Sequence, residues 1–297
     1  MDPVLGRDDQ LLVVVAQPGD TTATLAQRYL GDAGRAWWIS ELNAGEEIAA
    51  GRDVLVPLRA PRNGHRAVPV LCYHRFGPKA GKLTVTPAAF AAQMEYLAGN
   101  GYNVITLRQL SAFLQGHAEL PPKSVAITID DGYRSTYQLA YPVLRQRGFP
   151  ATVFLYTDFV GAPDAMTWEQ MREMTRSGLI EIQPHSRSHP NLALRAVEEN
   201  DARYRSRVRL EVEGSKRVIA NRLDAAVYSF AYPYGVVNDE IAEQLQAAGI
   251  ELGLTVTPGG NGFFADPRML RRTMIFGDEN LFEFKSKLQV FVVGQQR

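Results

Sequence analysis

The 297 residues are 45% hydrophobic and 22% charged, enough apolar material for folded cores, which excludes disorder of the whole chain. Lys plus Arg is 32 and Asp plus Glu is 32, so the formal net charge is zero; with no basic tract this argues against nucleic acid as the main partner and suits a neutral polymer such as a polysaccharide. The single cysteine, Cys72, rules out an internal disulfide and a multi-cysteine metal site, and its place in the apolar run Val68 to Cys72 reads as a small buried hydrophobe.

No stretch approaches the roughly 18 apolar residues of a membrane span. The start, Met1-Asp2-Pro3-Val4-Leu5-Gly6, lacks the basic and apolar parts of a signal peptide, which leaves a cytoplasmic protein or an exported one whose leader is absent from this sequence. The length suits a domain of roughly 230 residues plus a module of about 50.

Residues 11 to 16 are an apolar run that predicts a strand, followed by the turn Gln17-Pro18-Gly19-Asp20. Thr21 to Leu30 and Trp37 to Leu42 carry helical spacing, and Asn43-Ala44-Gly45 is a turn. Val54 to Pro57 closes with a strand, so residues 10–60 predict a small βααβ domain. Residues 61–67, polar with proline and glycine, read as a linker to a second domain at 68–297.

In that second domain strand and helix alternate: a strand at Val68 to Tyr73, a helix from Ala88 to Leu97 capped by Thr86-Pro87, a short strand at Val104 to Thr106 and a helix from Leu107 to Leu114. A buried strand at 125–129 follows, then a helix from Tyr137 to Arg147 despite Pro142, and a strand from Ala151 to Tyr156. Thr167 and Gln170 form a capping box for a helix from Trp168 to Ser177, ahead of a strand at Ile180 to Ile182. Leu194 to Arg222 is a mixed-charge run; it reads as the solvent face of a helix, with a patch for an anionic polymer as the weaker alternative. Strands at Ala226 to Ala231 and Leu252 to Val256 flank a helix from Asp239 to Ala248, and Lys285 to Val292 completes the domain. The alternation predicts an α/β barrel or a wound sheet.

In such folds chemistry sits at the carboxyl ends of strands. The strand at 125–129 runs into Asp130-Asp131-Gly132-Tyr133, and because the backbone turns there, both carboxylates can reach one cavity; the alternative is a surface turn. His74 follows the strand at 68–73, poised for a cleft or for a structural hydrogen bond. Two of the five histidines, His185 and His189, lie four apart after the strand at 180, a spacing that brings both imidazoles to one metal or marks a capped solvent-facing turn. The rings of Tyr232-Pro233-Tyr234 would line a sugar site or wall the core.

With these residues in view, the amino-terminal segment resembles a LysM module, matched at Val14, Pro18 to Thr21, Leu25, Ala26, Tyr29, Asn43 and Val54 to Pro57. That resemblance implies binding of N-acetylglucosamine-containing glycans; a docking or stability role is the alternative. Residues 68 to 275 resemble the polysaccharide deacetylase family, carbohydrate esterase family four, also called the NodB-homology domain. The resemblance rests on Thr128-Ile129-Asp130-Asp131-Gly132, on His185-Ser186-Arg187-Ser188-His189 and on Phe230-Ala231-Tyr232-Pro233-Tyr234-Gly235.

It implies a distorted (β/α) barrel of about seven strands and metal-dependent hydrolysis of N-acetyl groups on a cell-wall glycan or exopolysaccharide. The implied metal ligands are Asp131, His185 and His189, the ion a divalent one, Zn²⁺ ahead of Co²⁺ or Ni²⁺. Asp130 is the implied base, removing a proton from water that the ion has acidified. The backbone amide of Tyr133 is the implied oxyanion donor, and Tyr232, Pro233 and Tyr234 the implied substrate contacts.

Two departures from the family pattern stand out. There is no histidine after His189, and Tyr73-His74-Arg75-Phe76 resembles the aromatic-proline subgroup acting on poly-N-acetylglucosamine, which assigns His74 as general acid. Ala231 stands where many relatives have an arginine paired with the base, and Arg272 is the expected substitute. The implied partner is a glycan with no protein partner indicated, and the implied location the cell envelope or outside. The alternatives are a glycan-binding or assembly protein with a degenerate domain, and an acetyl-xylan esterase or other amidase on the same scaffold.

Overall fold

The computed structural model describes residues 4–7, 11–43, 47–58, 67–115, 117–118, 120–262 and 265–288. The chain divides into two units, Met1–Gly64 and His65–Arg297. The expected linker at 61–67 lies, except for Ala67, outside the described residues, as do 44–45 of the expected turn and 289–292 of the last expected segment.

In the first unit, β1 (Val4–Arg7), β2 (Leu11–Val15) and, after α1 (Thr22–Leu30) and α2 (Ala36–Leu42), β3 (Asp53–Pro57) form an antiparallel sheet with β2 in the middle. Alternate residues Leu12 and Val14 of β2 point inward and meet Leu25, Ala26, Ile39, Val54 and Val56. Thr21 and Thr24 make a reciprocal capping box at the start of α1. The Asn43 side chain donates to Ile39 O and Leu55 O and accepts from Leu55 N, tying the end of α2 to β3. The edge strand β1 was not expected, since its Val4 and Leu5 are exposed and show no inward alternation.

The second unit runs β4 (Val68–Tyr73), β5 (Arg75–Phe76), β6 (Thr84–Val85), α3 (Pro87–Gly99), β7 (Asn103–Ile105), α4 (Leu107–Leu114), β8 (Ser124–Asp131) and α5 (Tyr141–Arg147). It continues with β9 (Ala151–Leu155), α6 (Trp168–Arg176), β10 (Ile180–Pro184), α7 (Asp201–Leu223), β11 (Ser229–Ala231), α8 (Asp239–Ala247), β12 (Leu252–Leu254), β13 (Gly260–Asn261), β14 (Thr273–Met274) and α9 (Leu281–Lys287). The main sheet has the order β10-β9-β8-β4-β13, with β14 also paired to β4 and β7 to β8; every pairing is parallel except β4 with β13. This is an α/β fold with a mixed sheet.

The expected barrel does not close through a continuous sheet among the described residues, because β11 and β12 form a separate pair, which Leu254 of β12 extends only by a single parallel bridge to Leu270. At that break the Gln183 amide of β10 takes the place of a ladder. It donates to Ala226 O and accepts from Tyr228 N and Ser229 N. β11 starts at Ser229, later than expected: Ala226 O and Tyr228 N bond to this side chain, while Tyr228 O already accepts from Leu252 N of the neighbouring strand. The helix expected from Tyr137 starts as a π-helical turn over Thr136–Ala140 and becomes α-helical at Tyr141, so Pro142 lies at the π-to-α junction.

Strand periodicity sorts the central residues between two faces. Val125, Ile127 and Ile129 of β8, with Leu71 and Tyr73 of β4, join the layer packed under α3, α5 and α6. Ala126, with Val68 and Val70, joins a second cluster on the opposite face. Asp130 shares the parity of Ala126 and faces the same way.

Candidate active site

Asp130 would face away from Asp131 in a continuing strand, but the chain turns at once: Asp131 has φ of 76° and Gly132 of 87°. Glycine takes that φ of 87° without strain, and a Cβ at 132 would in addition stand 2.4 Å from Leu155 Cδ1, which would have to move. Both carboxylates thereby reach one site.

Asp130 is buried and bound by a fork from Arg272, with Nη1 donating to Oδ1 at 2.6 Å and Nη2 to Oδ2 at 2.8 Å. Arg272 is itself fully buried and donates from Nε to Thr255 O and from Nη1 to Thr128 Oγ1. The Cys72 thiol reaches Asp130 Oδ2 at 3.5 Å. Burial would raise the Asp130 carboxyl, but the Arg272 guanidinium outweighs it and holds the group well below the usual carboxylate range. Burial instead pushes Asp131 up to about 6, opposed by His74 and reinforced by Asp130.

The loop after β10 brings the two histidines back on one another. His185 Nε2 and His189 Nε2 are 3.2 Å apart, and Asp131 Oδ1 lies 3.8 Å from the first and 3.5 Å from the second. Burial pushes His185 down to about 4 and lowers His189 as well. His185 Nδ1 sits 2.7 Å from Ala231 O, a contact that puts the ring proton on Nδ1 and turns the Nε2 lone pair toward its two neighbours. Two atoms each about 2 Å from a tetrahedral ion lie about 3.3 Å apart, so this donor set fits a divalent cation. The metal-ligand candidates of the sequence therefore meet at one point.

His74, Cys72 and Asp130 bring their donor atoms within 4.8 Å of one another, and His74 Nδ1 is buried without a hydrogen-bond partner among the described residues. The N–H of Tyr133 takes no part in its bridge to Ala165, which is made by the flanking bonds from Arg134 N to Asp164 O and from Met166 N to Gly132 O.

Tyr232 and Pro233 correct an expectation. Both side chains are buried, and the Tyr232 hydroxyl donates to Arg268 O, so neither offers a face to a sugar. Tyr234 does: it is 60% exposed, adopts φ of 60°, and sets its ring 4.9 Å from that of His189. Sequence reading missed the rest of the aromatic rim. Tyr156 lies 5.2 Å from the His189 ring and stacks on Phe159, which meets Tyr133 edge-on, and the Arg75 guanidinium covers the Tyr133 ring at 4.1 Å. The position of Tyr156 directly after β9 was the available signal.

Residues 117–253, which contain Asp130, Asp131, His185 and His189 but neither His74 nor Arg272, match the polysaccharide deacetylase family model. The Bacillus subtilis (strain 168) protein YxkH is 32% identical over 192 residues, covering 65% of this chain and 65% of its own length. The poly-beta-1,6-N-acetyl-D-glucosamine N-deacetylase of Escherichia coli (strain K12) is 26% identical over 266 residues, 77% of this chain and 39% of that protein. The chain thus spans less than two thirds of the length of these curated relatives. Among solved structures, IcaB from Ammonifex degensii superposes with a TM-score of 0.66 at 28% identity, over 75% of this chain and 96% of that one. The strand-end carboxylates and the paired imidazoles thus lie within the segment, residues 117–253, that matches the polysaccharide deacetylase family model, and the chain is similar to these relatives around the same site.

Proposed function

We propose that this protein removes N-acetyl groups from an N-acetylglucosamine-containing polysaccharide, using one divalent metal ion. The observation that carries the reading is the convergence of Asp131, His185 and His189 donor atoms beside a base, Asp130, that its own arginine keeps ionised.

Asp131, His185 and His189 would hold the ion, Zn²⁺ in preference to Co²⁺ or Ni²⁺ given two imidazoles and a carboxylate. A divalent ion there supplies Lewis acidity to the reaction when bound. Asp130 accepts the proton of the attacking water, and the Arg272 fork fixes the direction of its lone pairs. The Tyr133 N–H donates to the oxyanion that forms on the acetyl carbonyl. His74, beside Asp130, delivers a proton to the leaving nitrogen, so acetate and a free amine depart. Tyr234, with Tyr156 behind His189, gives the sugar ring an aromatic wall.

The order of the parallel strands suits a distorted (β/α) barrel in which the Gln183 amide spans the gap between β10 and β11. The first unit, with its two helices between β2 and β3, is read as a LysM-like module that keeps the enzyme near its polymer and so raises local concentration. A glycan of the cell surface puts the site of action in the envelope or outside the cell. The curated Escherichia coli relative acts, by its name, on poly-beta-1,6-N-acetyl-D-glucosamine, which makes that polymer the first substrate to try.

The test is acetate release from β-1,6-linked N-acetylglucosamine oligomers, chitin oligomers, peptidoglycan and acetyl-xylan, before and after metal removal. Release from an N-acetylated glycan that stops on chelation and returns with Zn²⁺ supports the reading. Bound metal with no acetate from any of these substrates overturns it in favour of a binding protein, and release from acetyl-xylan alone makes it an esterase.

A further inference from the structure

Glu211 is a buried carboxylate that the reaction outlined above does not use. It projects from α7, and among the described residues the hydrogen bonds its carboxylate accepts come from the loop carrying His185 and His189. Its Oε2 accepts from the consecutive backbone amides of Arg187 and Ser188, each at 2.9 Å, and its Oε1 accepts from Ser188 Oγ at 2.7 Å. Two successive N–H groups aimed at one oxygen form a concave anion site, here filled by the protein itself.

That loop has reason to need a clamp. Ser186 and His189 both adopt left-handed backbone, at φ of 69° and 60°, a conformation that non-glycine residues hold only when the surroundings impose it. The Ser186 hydroxyl accepts from His189 N at 2.9 Å, and Asp158 N donates to Arg187 O at 2.8 Å, pinning the loop on the side of β9. On the side of α7 the pin is Glu211. Release of the Arg187 and Ser188 amides would let the segment between the imidazoles relax toward extended backbone, which carries His189 Nε2 away from His185 and Asp131.

We propose that Glu211 is a positioning residue for metal binding, holding the His185 to His189 loop in the shape that lets both imidazoles face one ion. The proposal rests on the reading of Asp131, His185 and His189 as ligands. Glutamine at 211 keeps an oxygen for the two amides and an N–H for Ser188 Oγ, whereas alanine keeps neither.

The experiment is a Zn²⁺ titration of the metal-stripped full chain against a chromophoric chelator, for wild type, Glu211→Ala and Glu211→Gln, with folding of the metal-free forms followed by circular dichroism. Glu211→Ala should bind at least about tenfold more weakly, the scale expected when a residue supporting metal ligands is lost. Glu211→Gln should stay within a few-fold of wild type, and saturating Zn²⁺ should restore the kcat of Glu211→Ala, which a general loss of structure would not permit. If Glu211→Ala does not fold, Glu211→Asp, which withdraws the carboxylate by one methylene, carries the same comparison. Wild-type affinity in a folded Glu211→Ala or Glu211→Asp overturns the proposal alone; absence of Zn²⁺ binding by the wild type overturns it together with the reading of the metal site.

Discussion

Arg272 and Asp130, 142 residues apart in the chain, meet through two N–H donors on two carboxylate oxygens with both side chains buried. A lysine cannot reproduce that fork. Arg272→Lys should lower kcat about 10- to 100-fold, a part of the 10²–10⁴ expected of a general base, because Asp130 loses both orientation and charge support. Zn²⁺ affinity should change by no more than a few-fold, since Asp131, His185 and His189 keep their own supports. Wild-type turnover in Arg272→Lys would refute the pairing as part of catalysis. Arg272→Ala leaves a buried charge unpaired and should cost about 3–5 kcal/mol of stability, read as a shift in the urea midpoint.

His74 is next to Asp130 and has a buried nitrogen without a hydrogen-bond partner among the described residues. As general acid it matters only when the leaving group needs a proton. His74→Ala should therefore lose roughly 10²–10⁴ in kcat on an N-acetylated sugar and far less on an aryl acetate, whose phenolate leaves unaided. Equal losses on both substrates would remove His74 from that role.

Metal affinity should depend on pH in one direction. In the metal-free protein burial pushes Asp131 up to about 6 and His185 down to about 4. Below about pH 6 a proton occupies Asp131 and must leave before an ion binds, so affinity falls as pH falls. Above that Asp131 is ionised and His185 neutral, and the dependence should flatten. Zn²⁺ titrations in buffers of different ionisation enthalpy would count the proton released; constant affinity from about pH 7 down to about pH 5 would contradict the raised Asp131.

Gln183 joins β10 to the segment before β11 with three bonds. Gln183→Leu keeps the volume and deletes them, leaving Ala226 O, Tyr228 N and Ser229 N unsatisfied. The expected loss is about 3 kcal/mol or more, at roughly 1–3 kcal/mol for each of the three groups left buried and unpaired. Hydrogen exchange should quicken first at Tyr228 and Ser229. Unchanged protection at those two amides would show that the gap is held by something else.

The residues of the candidate site were legible where the signal is local. A β-branched run ending in Asp130-Asp131-Gly132 and a strand ending in His185 and His189 expose chemistry at strand ends through neighbours in sequence alone. Arg272 was reached only as a substitute for an arginine absent at Ala231, because nothing near it in sequence says which carboxylate it meets. Tyr232 and Tyr234 show the limit from the other side. They are two residues apart in one aromatic turn, yet one ring is buried against Arg268 O and the other is open beside His189.

By itself the sequence determined the alternation of strands and helices, the helix caps at Thr86 and Thr167, and the identity of the two imidazoles and two carboxylates, since each depends on periodicity or capping within a few residues. Only the tertiary structure decided that Asp131 turns toward His185 and His189, that Gln183 replaces a strand ladder, and that Glu211 holds the histidine loop. Those outcomes depend on hydrogen bonds and ion-pair contacts between groups far apart in the chain, and their partners are chosen by burial, which penalises an enclosed donor or acceptor left without a mate.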